Sequence, residues 1–448
     1  MKLKVFFASD GDCLLLTSSD GHHALIDGGR GDSFRKGTWP ALQALAKEKE
    51  TLDLVVVSHI DADHISGILW LMKNVAAWSV YDYQTTAGGN PTFPKPSTSR
   101  PPRIDKLWHN SWRAQLGDLA GPIESYLSRV SESVETTAFD GSKAPDAAVE
   151  LVDAVQGLAE SIPDGVELLR VVDDETPTPR NTPFKDLVLL RDPPHVEKLG
   201  TTKLTVIGPA RKHLRRLRDE WREWLTGKPG TNGNVDESVP GQGPEPQGPG
   251  LAAEVFDLAA VPAQERADAE QLVADLVAAA EIIVTTDPSS VTPPNRASIT
   301  LLAEEKKRAC LLTGDAAEEE ILEGLDAAGR IVNGRFWCNV VKVQHHGSEH
   351  NLSQTFAGTV LADQYVFCAD GAHGNPDPSV VKTIIETRLA ADPRPFTLWF
   401  NCSPERTLAT RRKNLRAAIK EGTTAADKHS AITVNVLDDA KAVFEISV

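Results

Sequence analysis

His59, Asp61, Asp63 and His64 fall within six residues, in the stretch Leu54-Val55-Val56-Val57-Ser58-His59-Ile60-Asp61-Ala62-Asp63-His64-Ile65-Ser66-Gly67. Two imidazoles and two carboxylates this close together suit a divalent cation, which neutralises the acids and takes the imidazole lone pairs. His59 and Asp61 are two apart, so on an extended chain they face the same way. Asp63 and His64 follow the apolar run 54–57 and are free to turn towards the same point. A simpler reading has Asp63 capping a helix N-terminus and Asp61 favouring the helix dipole. It accounts for the acids and leaves both histidines unexplained, so metal binding is the expectation.

Further groups of the same type recur along the chain. Asp27-Gly28-Gly29 follows the apolar Ala24-Leu25-Ile26, and the glycines let the backbone bend and come close to a ligand, although Asp27 alone would equally make an Asx turn. Thr313-Gly314-Asp315 and His345-His346-Gly347-Ser348 each end an apolar run, as does the stretch Ala369-Asp370-Gly371-Ala372-His373-Gly374-Asn375. His109 and Asn110 close the run 104–108. His109 either supplies a further nitrogen ligand, with Asn110 orienting it or the substrate, or is a histidine packed beside Trp108 and Trp112. Ligand-type residues at successive strand ends fit an α/β sheet, where function gathers at the carboxyl edge.

The elements that must carry these residues follow from the apolar pattern. Residues 2–8 and 13–17 read as a hairpin, 24–26 and 54–58 as strands, and 39–48 as a helix. Ile65, Ile68, Leu69, Met72 and Val75 recur at helical spacing after the motif. Residues 85–103, rich in Gly, Pro, Ser and Thr, read as a long loop. Residues 113–170 read as amphipathic helix with loops, and 171–200 as Pro-punctuated chain. A strand at 204–207 precedes a helix from Arg211 whose basic face is either solvated or a contact for phosphates. Residues 227–250 have almost no apolar side chains and read as a disordered linker. A helix at 263–280 and a strand at 282–284 follow it. The C-terminal part returns to alternation: strands at 298–303, 308–312, 339–344, 365–368 and 397–401, helices at 318–325, 377–391 and 404–421, and strands near 432–437 and 442–447.

Bulk properties narrow the classes. At 448 residues the chain could hold two or three average domains or one large α/β domain with insertions, and 41% apolar content supports a real core. A net charge of −16 argues against broad coating of DNA, while bound dications can still draw phosphate into one cleft. The five cysteines have no CxxC spacing and read as small, reduced core residues, which suits a cytoplasmic protein. No apolar run approaches a membrane span, so no membrane partner is expected.

Taken in order, Asp27-Gly28-Gly29, His59-x-Asp61-x-Asp63-His64, Gly314-Asp315 and His345-His346-Gly347-Ser348 resemble the metallo-β-lactamase superfamily of metal-dependent hydrolases. Within it, the likeness is to the nuclease domain of the ComEC-type DNA-uptake channel proteins and their soluble relatives. It covers the opening Gly11-Asp12-Cys13-Leu14-Leu15-Leu16, residues 22–70, 295–350 and 363–378, with about 113–290 as insertion. The resemblance implies an α/β fold, a four-layer αββα sandwich formed by 1–448 as one domain with helical and loop insertions, 113–200 among them.

It also implies a two-metal site, with His59 and Asp61 on one ion, Asp63 and His64 on the other, and Asp315 bridging. One of His345 and His346 completes the second ion, and His109 is the candidate for the family's middle ligand. A second histidine is usual where this chain has Asp61; the aspartate is shared by the ComEC-like branch and makes the site harder, so that Mn²⁺ or Mg²⁺ joins Zn²⁺ as an expected ion. Two dications about 3.5–4 Å apart would acidify a bridging water and clamp a phosphate oxygen. The non-ligating histidine of 345/346, or His373, would protonate the leaving oxygen, with Asn110, Ser348 and Asn375 on the phosphate. The expected activity is phosphodiester hydrolysis, with DNA as substrate and small nucleotide, phosphocholine or lipid-type diesters as the alternative. A non-catalytic regulatory subunit is the expectation from another class. Loops at 85–103 or 227–250 would suit a host-defence effector, held shut until a regulatory protein or protease moves them.

Overall fold

The strand Thr51–Val57 shows why the chain builds layers. Its side chains alternate, so Leu54 and Val56 enter one buried cluster and Val55 and Val57 another. A strand buried on both faces needs cover on both. The computed structural model describes residues 1–122, 161–226, 295–392 and 394–448. The chain divides into two compact units, one of Met1–Gln115, Ser161–Leu217 and Val291–Val448, the other of Leu116–Glu160 and Arg218–Ser290. The first unit carries both sheets.

The first sheet contains β1 (Lys2–Phe6), β2 (Leu14–Thr17), β3 (His23–Ile26), β4 (Thr51–Val57), β5 (Arg103–Ile104), β6 (Leu107–His109) and β15 (Val443–Ser447). Its order is β15-β1-β2-β3-β4-β5, and β6 also pairs with β4. Pairing is antiparallel from β15 to β3 and parallel from β3 onward. The second sheet holds β7 (Val196–Leu199), β8 (Thr202–Gly208), β9 (Thr300–Glu305), β10 (Arg308–Leu312), β11 (Phe336–Lys342), β12 (Val360–Phe367), β13 (Phe396–Phe400) and β14 (Ile432–Val436). They lie in unbroken sequence order, antiparallel from β7 to β10 and parallel from β10 to β14.

Between the sheets, Leu3, Leu14, Leu16, Leu54 and Val56 meet Val206, Leu301, Cys310, Leu312, Val340 and Val366 in one core. On the outer side of the first sheet, the helices Trp39–Glu48 and Ala62–Thr85 bury Leu42, Ile65, Ile68 and Met72. The outer side of the second is covered by Glu318–Ala327, Pro378–Ala391 and Arg412–Lys428 through Ile321, Val381, Ile384 and Ala418. The result is the expected α/β class and αββα layering. All five cysteines are buried and free. Among the described residues, no helix is long and apolar enough to cross a membrane.

Several boundaries differ from the sequence reading. The strand expected at 104–108 is two short strands, β5 and β6, interrupted at Asp105-Lys106. The strand expected at 339–344 starts earlier and stops at Lys342. His345 and His346 both take positive φ, 45° and 55°, which a strand cannot continue through. The helix expected at 404–421 begins at Arg412, because the preceding segment is held as turns: Arg412 Nε donates to the Pro404 carbonyl at 2.8 Å and Thr407 Oγ1 to that of Asp370 at 2.6 Å. The basic helix forms as Arg211–Thr226, with Lys212 and His213 paired to Glu323. The linker at 227–250, the helix at 263–280, the strand at 282–284 and much of 113–170 lie outside the described residues.

Two glycine contacts seat the long helix on the first sheet. Gly28 N–H donates to the His64 carbonyl at 2.8 Å, and Gly67 N–H to the Gly29 carbonyl at 3.0 Å. A Cβ at Gly67 would stand 2.2 Å from the Gly28 oxygen, and one at Gly28 would stand 2.5 Å from the Ile68 nitrogen. Ordinarily Gly→Ala inside a helix stabilises by about 0.5–1 kcal/mol. Here Gly67→Ala is expected to do the opposite, lowering the urea midpoint by the equivalent of about 1–3 kcal/mol. An unchanged or raised midpoint would show that helix and loop do not meet this closely.

Candidate metal centre

Strand ends from both sheets meet where the polar residues cluster. Ile299 N–H donates to the Ser58 carbonyl at 2.8 Å, joining the end of β4 to the residue before β9. Gly314, with φ of 51°, packs against Ser58 and Ser298. Into this junction come His59 and Asp61 from the loop after β4, and Asp63 and His64 from the first turn of the helix Ala62–Thr85. Asp315 arrives from the loop after β10, and His346 from the turn after β11. Asp61 is the helix N-cap by position but its carboxylate makes no capping hydrogen bond. The acids are therefore not consumed by the helix.

Each histidine of the cluster has one nitrogen already engaged. His64 Nδ1 donates to Asp27 Oδ2 at 2.9 Å, and His346 Nδ1 to the Cys368 carbonyl at 2.7 Å. Ser58 gives both its N–H and its hydroxyl to Asp27, each at 2.7 Å, so His59 Nδ1 donates to the Ser58 oxygen at 3.0 Å. These bonds fix the tautomers and point every Nε2 lone pair inward. His64 Nε2 and His346 Nε2 stand 3.3 Å apart. Asp315 Oδ2 is 3.1 Å from His346 Nε2, 3.4 Å from His64 Nε2 and 3.9 Å from His59 Nε2. Asp63 Oδ2 lies 3.2 Å from His346 Nε2, and Asp61 Oδ2 lies 3.4 Å from His59 Nε2, an atom that is buried without a hydrogen-bond partner.

The electrostatics demand positive charge at this point. Burial alone would raise the Asp63 and Asp315 carboxyls, yet the His64 and His346 imidazoles outweigh it and hold both below the usual carboxylate range. Burial would lower His64 and His346, and the surrounding carboxylates push both well above the ordinary imidazole value. Either protons or a metal cation must fill the space. Protons on both Nε2 atoms would set two N–H groups head to head at 3.3 Å. A cation between them would take both Nε2 lone pairs and offset Asp63 and Asp315, so the donor set fits a divalent metal. Two groups of potential ligand atoms within 4.8 Å of one another exist among the described residues: Asp12, His64 and His346, and His59, His64 and Asp315.

The structure adds two residues the sequence reading did not place in the site. Lys342, at the end of β11, is fully buried, with Nζ 2.6 Å from Asp12 Oδ2, 3.3 Å from Asp315 Oδ1 and 3.0 Å from the Gly314 carbonyl. Burial would lower its pKa, but Asp12 and Asp315 prevail and keep the ammonium charged. Asp12 reaches the cluster because Gly11 lies on the helix start, where a Cβ would come 1.6 Å from the Asp63 carbonyl oxygen. The only sequence signal was the Gly11-Asp12 turn after the first strand.

The remaining candidates are placed as follows. His345 stands beside the cluster, its Nε2 4.0 Å from Asp315 Oδ2; Nδ1 donates to Asn351 Oδ1 at 2.6 Å and Nε2 accepts from Asn295 at 3.2 Å. His109 ends β6 next to Val57 of β4, fully buried, with neither ring nitrogen hydrogen-bonded. Burial, with Arg180 adding to it, drives its pKa down to about 3, so it is neutral and outside the two tight donor groups. Asn110 spends its amide on both backbone groups of Val188, at 2.8 and 2.9 Å. Ser348 Oγ accepts from His350 N–H at 3.4 Å. Asn375 is buried before a cis proline, and His373 is exposed, its side chain forming no hydrogen bond or ion pair among the described residues. Asp27, with Gly28 and Gly29, is the carboxylate that orients His64.

Residues 8–179 match the family model described as the Metallo-beta-lactamase superfamily. The chain carries a metallo-β-lactamase domain. The match ends before Asp315 and His346, so their membership of the site rests on the geometry above. No curated protein matches the chain. Among solved structures it is similar to a CmlA beta-hydroxylase mutant, at 9% identity and a TM-score of 0.31, covering 99% of this chain and 54% of that one. The chain thus spans about half the length of that protein, and a likeness this slight carries no argument.

Lys342 neutralises two carboxylates that would otherwise repel each other in a buried place. Breaking such a network by removing one partner typically costs about 3–5 kcal/mol. Lys342→Met is expected to lower the urea midpoint by a loss of that order, whereas Lys382→Met, on an exposed helix face, is expected to leave it unchanged. Equal midpoints for the two variants would contradict the role given to Lys342.

Proposed function

We propose that the chain is a binuclear metal-dependent phosphodiesterase acting on DNA. The observation that carries the hydrolase reading is the convergence of His64 and His346 Nε2, 3.3 Å apart, on Asp315 Oδ2. In this reading His64, His346, Asp63 and Asp315 hold one ion, and His59 and Asp61 share Asp315 with the other. His109 has bare nitrogens with which to complete the second ion's ligands. Bound dications would acidify a water and stabilise charge on the phosphoryl oxygens. Zn²⁺ suits the imidazoles, and the acid-rich set, with Asp61 in place of a histidine, also suits Mn²⁺.

The protein's own residues do the positioning. Asp27, fixed by two hydrogen bonds from Ser58, locks the His64 ring. Lys342 takes Asp315 Oδ1, leaving Oδ2 to face the imidazoles. His345 is 24% exposed, and burial with the His346 charge beside it lowers its pKa despite Asp315. Held neutral, with Asn351 on Nδ1 and Asn295 donating to Nε2, it would exchange a proton with a substrate only by giving up one of these bonds. The choice of a DNA phosphodiester is supported by the pairing of His-x-Asp-x-Asp-His with His-His-Gly-Ser, the ComEC-like combination.

The experiment is a cleavage panel of plasmid DNA, RNA and a chromogenic phosphodiester, run with Mn²⁺ or Zn²⁺. The wild type, Asp63→Ala and His64→Ala would be compared, with circular dichroism to confirm that each is folded. DNA cleavage by the wild type and a loss of about a thousandfold or more in both variants are expected. Full activity in either folded variant removes the reading. Cleavage confined to the chromogenic diester keeps the phosphodiesterase and discards DNA.

A further inference from the structure

Opposite the metal centre, at the starting ends of β10 and β11, the second sheet has a cavity of about 470 Å³. Its rim carries Lys306, Lys307, Arg308, Arg330 and Arg335 against a single carboxylate, Glu304. Arg330 pairs with Glu304 at 2.7 Å. The other four cations are exposed, and among the described residues none has a carboxylate within ion-pair distance. Four uncompensated cations around one concavity stand out in a chain whose net charge is −16. A solvated face would scatter them or interleave them with acids, as on the helix Pro378–Ala391, where Lys382 lies near Glu386.

The backbone shows that the cations are held in place. β9 and β10 pair through Glu305 and Arg308, so Lys306-Lys307 is a two-residue turn. Lys306 has φ of 56°, a left-handed conformation that glycine or asparagine takes more readily, and strain kept by a cation points to a use for it. On the other side Val332 and Arg335 exchange backbone hydrogen bonds of 2.8 and 3.1 Å around Asn333-Gly334, both at positive φ. Two tight turns thus set lysines and arginines around one open concavity, which Phe336 and Trp337 also line. The volume lies within the range of about 300–1,000 Å³ that small-molecule sites occupy.

We propose that this cavity binds a small polyanion carrying two or more linked phosphate groups. Guanidinium forks match phosphate oxygens in pairs, and the lysines supply point charges alongside them. A nucleoside polyphosphate and an inorganic polyphosphate share this chemistry, and the test separates them. The site does not depend on the hydrolase reading, since β10 and β11 run away from it towards Asp315, Lys342 and His346.

The test is isothermal titration of the full chain in chelator, so that no metal assists at the other site. The probes are inorganic tripolyphosphate, ATP and a short single-stranded oligonucleotide. Tripolyphosphate or ATP is expected to saturate in the micromolar range at low salt and to weaken as salt screens the cations. Lys307→Glu/Arg335→Glu is expected to weaken binding by about a hundredfold, and the charge-neutral Lys307→Gln/Arg335→Gln by about tenfold. Asp315→Asn should leave binding unchanged. Tighter binding of ATP than of tripolyphosphate assigns a nucleotide, and equal binding assigns the phosphate chain alone. Absence of saturable binding overturns the proposal, as does binding indifferent to the neutral pair variant, binding lost with Asp315→Asn, or tightest binding by the oligonucleotide.

Discussion

Lone pairs and negative charge converge at one buried point, and the rest of the first unit is arranged to tolerate it. His59, His64 and His346 each spend Nδ1 on a fixed acceptor, and their Nε2 atoms face Asp315 Oδ2 at 3.9, 3.4 and 3.1 Å. Ions withdrawn from water cost several kcal/mol each unless a partner offsets them. Here one offset is permanent, the Lys342 ammonium between Asp12 and Asp315, and the other would come from a cation held by the donors. Remove positive charge from the centre and the carboxylates hold protons on the imidazoles, as their raised pKa values show.

Close backbone approach makes this geometry possible. Gly11 lies over Asp63, Gly28 and Gly67 lie over each other, and Gly314 packs on Ser58 and Ser298. Any side chain at the first three would separate the loops that carry Asp12, Asp27 and His64. The two sheets contribute different parts. The first supplies the contiguous His59–His64 motif from one strand end and helix start. The second brings Asp315, Lys342 and His346 from neighbouring parallel strands, whose carboxyl ends point the same way.

This division explains what the sequence revealed. The 59–64 stretch was legible because an apolar run, a polar cluster and a helical period follow one another without interruption. The αββα layering was legible through resemblance, and Asp315 and the His345-His346 pair stood out as candidates through their positions at the ends of apolar runs. Lys342 and Asp12 were not, because a lysine within a strand and an acid in a turn look like solvated residues until tertiary contact buries them. Which of His345 and His346 faces the cluster was not legible, because both lie past the end of β11 at positive φ and the turn itself directs His346 inward. Helix onset at Arg412 rather than 404 reflects turn contacts with Asp370 and Pro404 that no local pattern contains.

The central claim is that these donors enclose a metal. The most direct test is equilibrium dialysis of the full chain against Zn²⁺ and Mn²⁺, followed by elemental analysis of the protein and of Asp315→Asn. At least about one tightly held dication per chain in the wild type, and loss of most of it in the variant, is the expected result. A wild type with well under one ion per chain, or equal occupancy in the two proteins, would contradict the account.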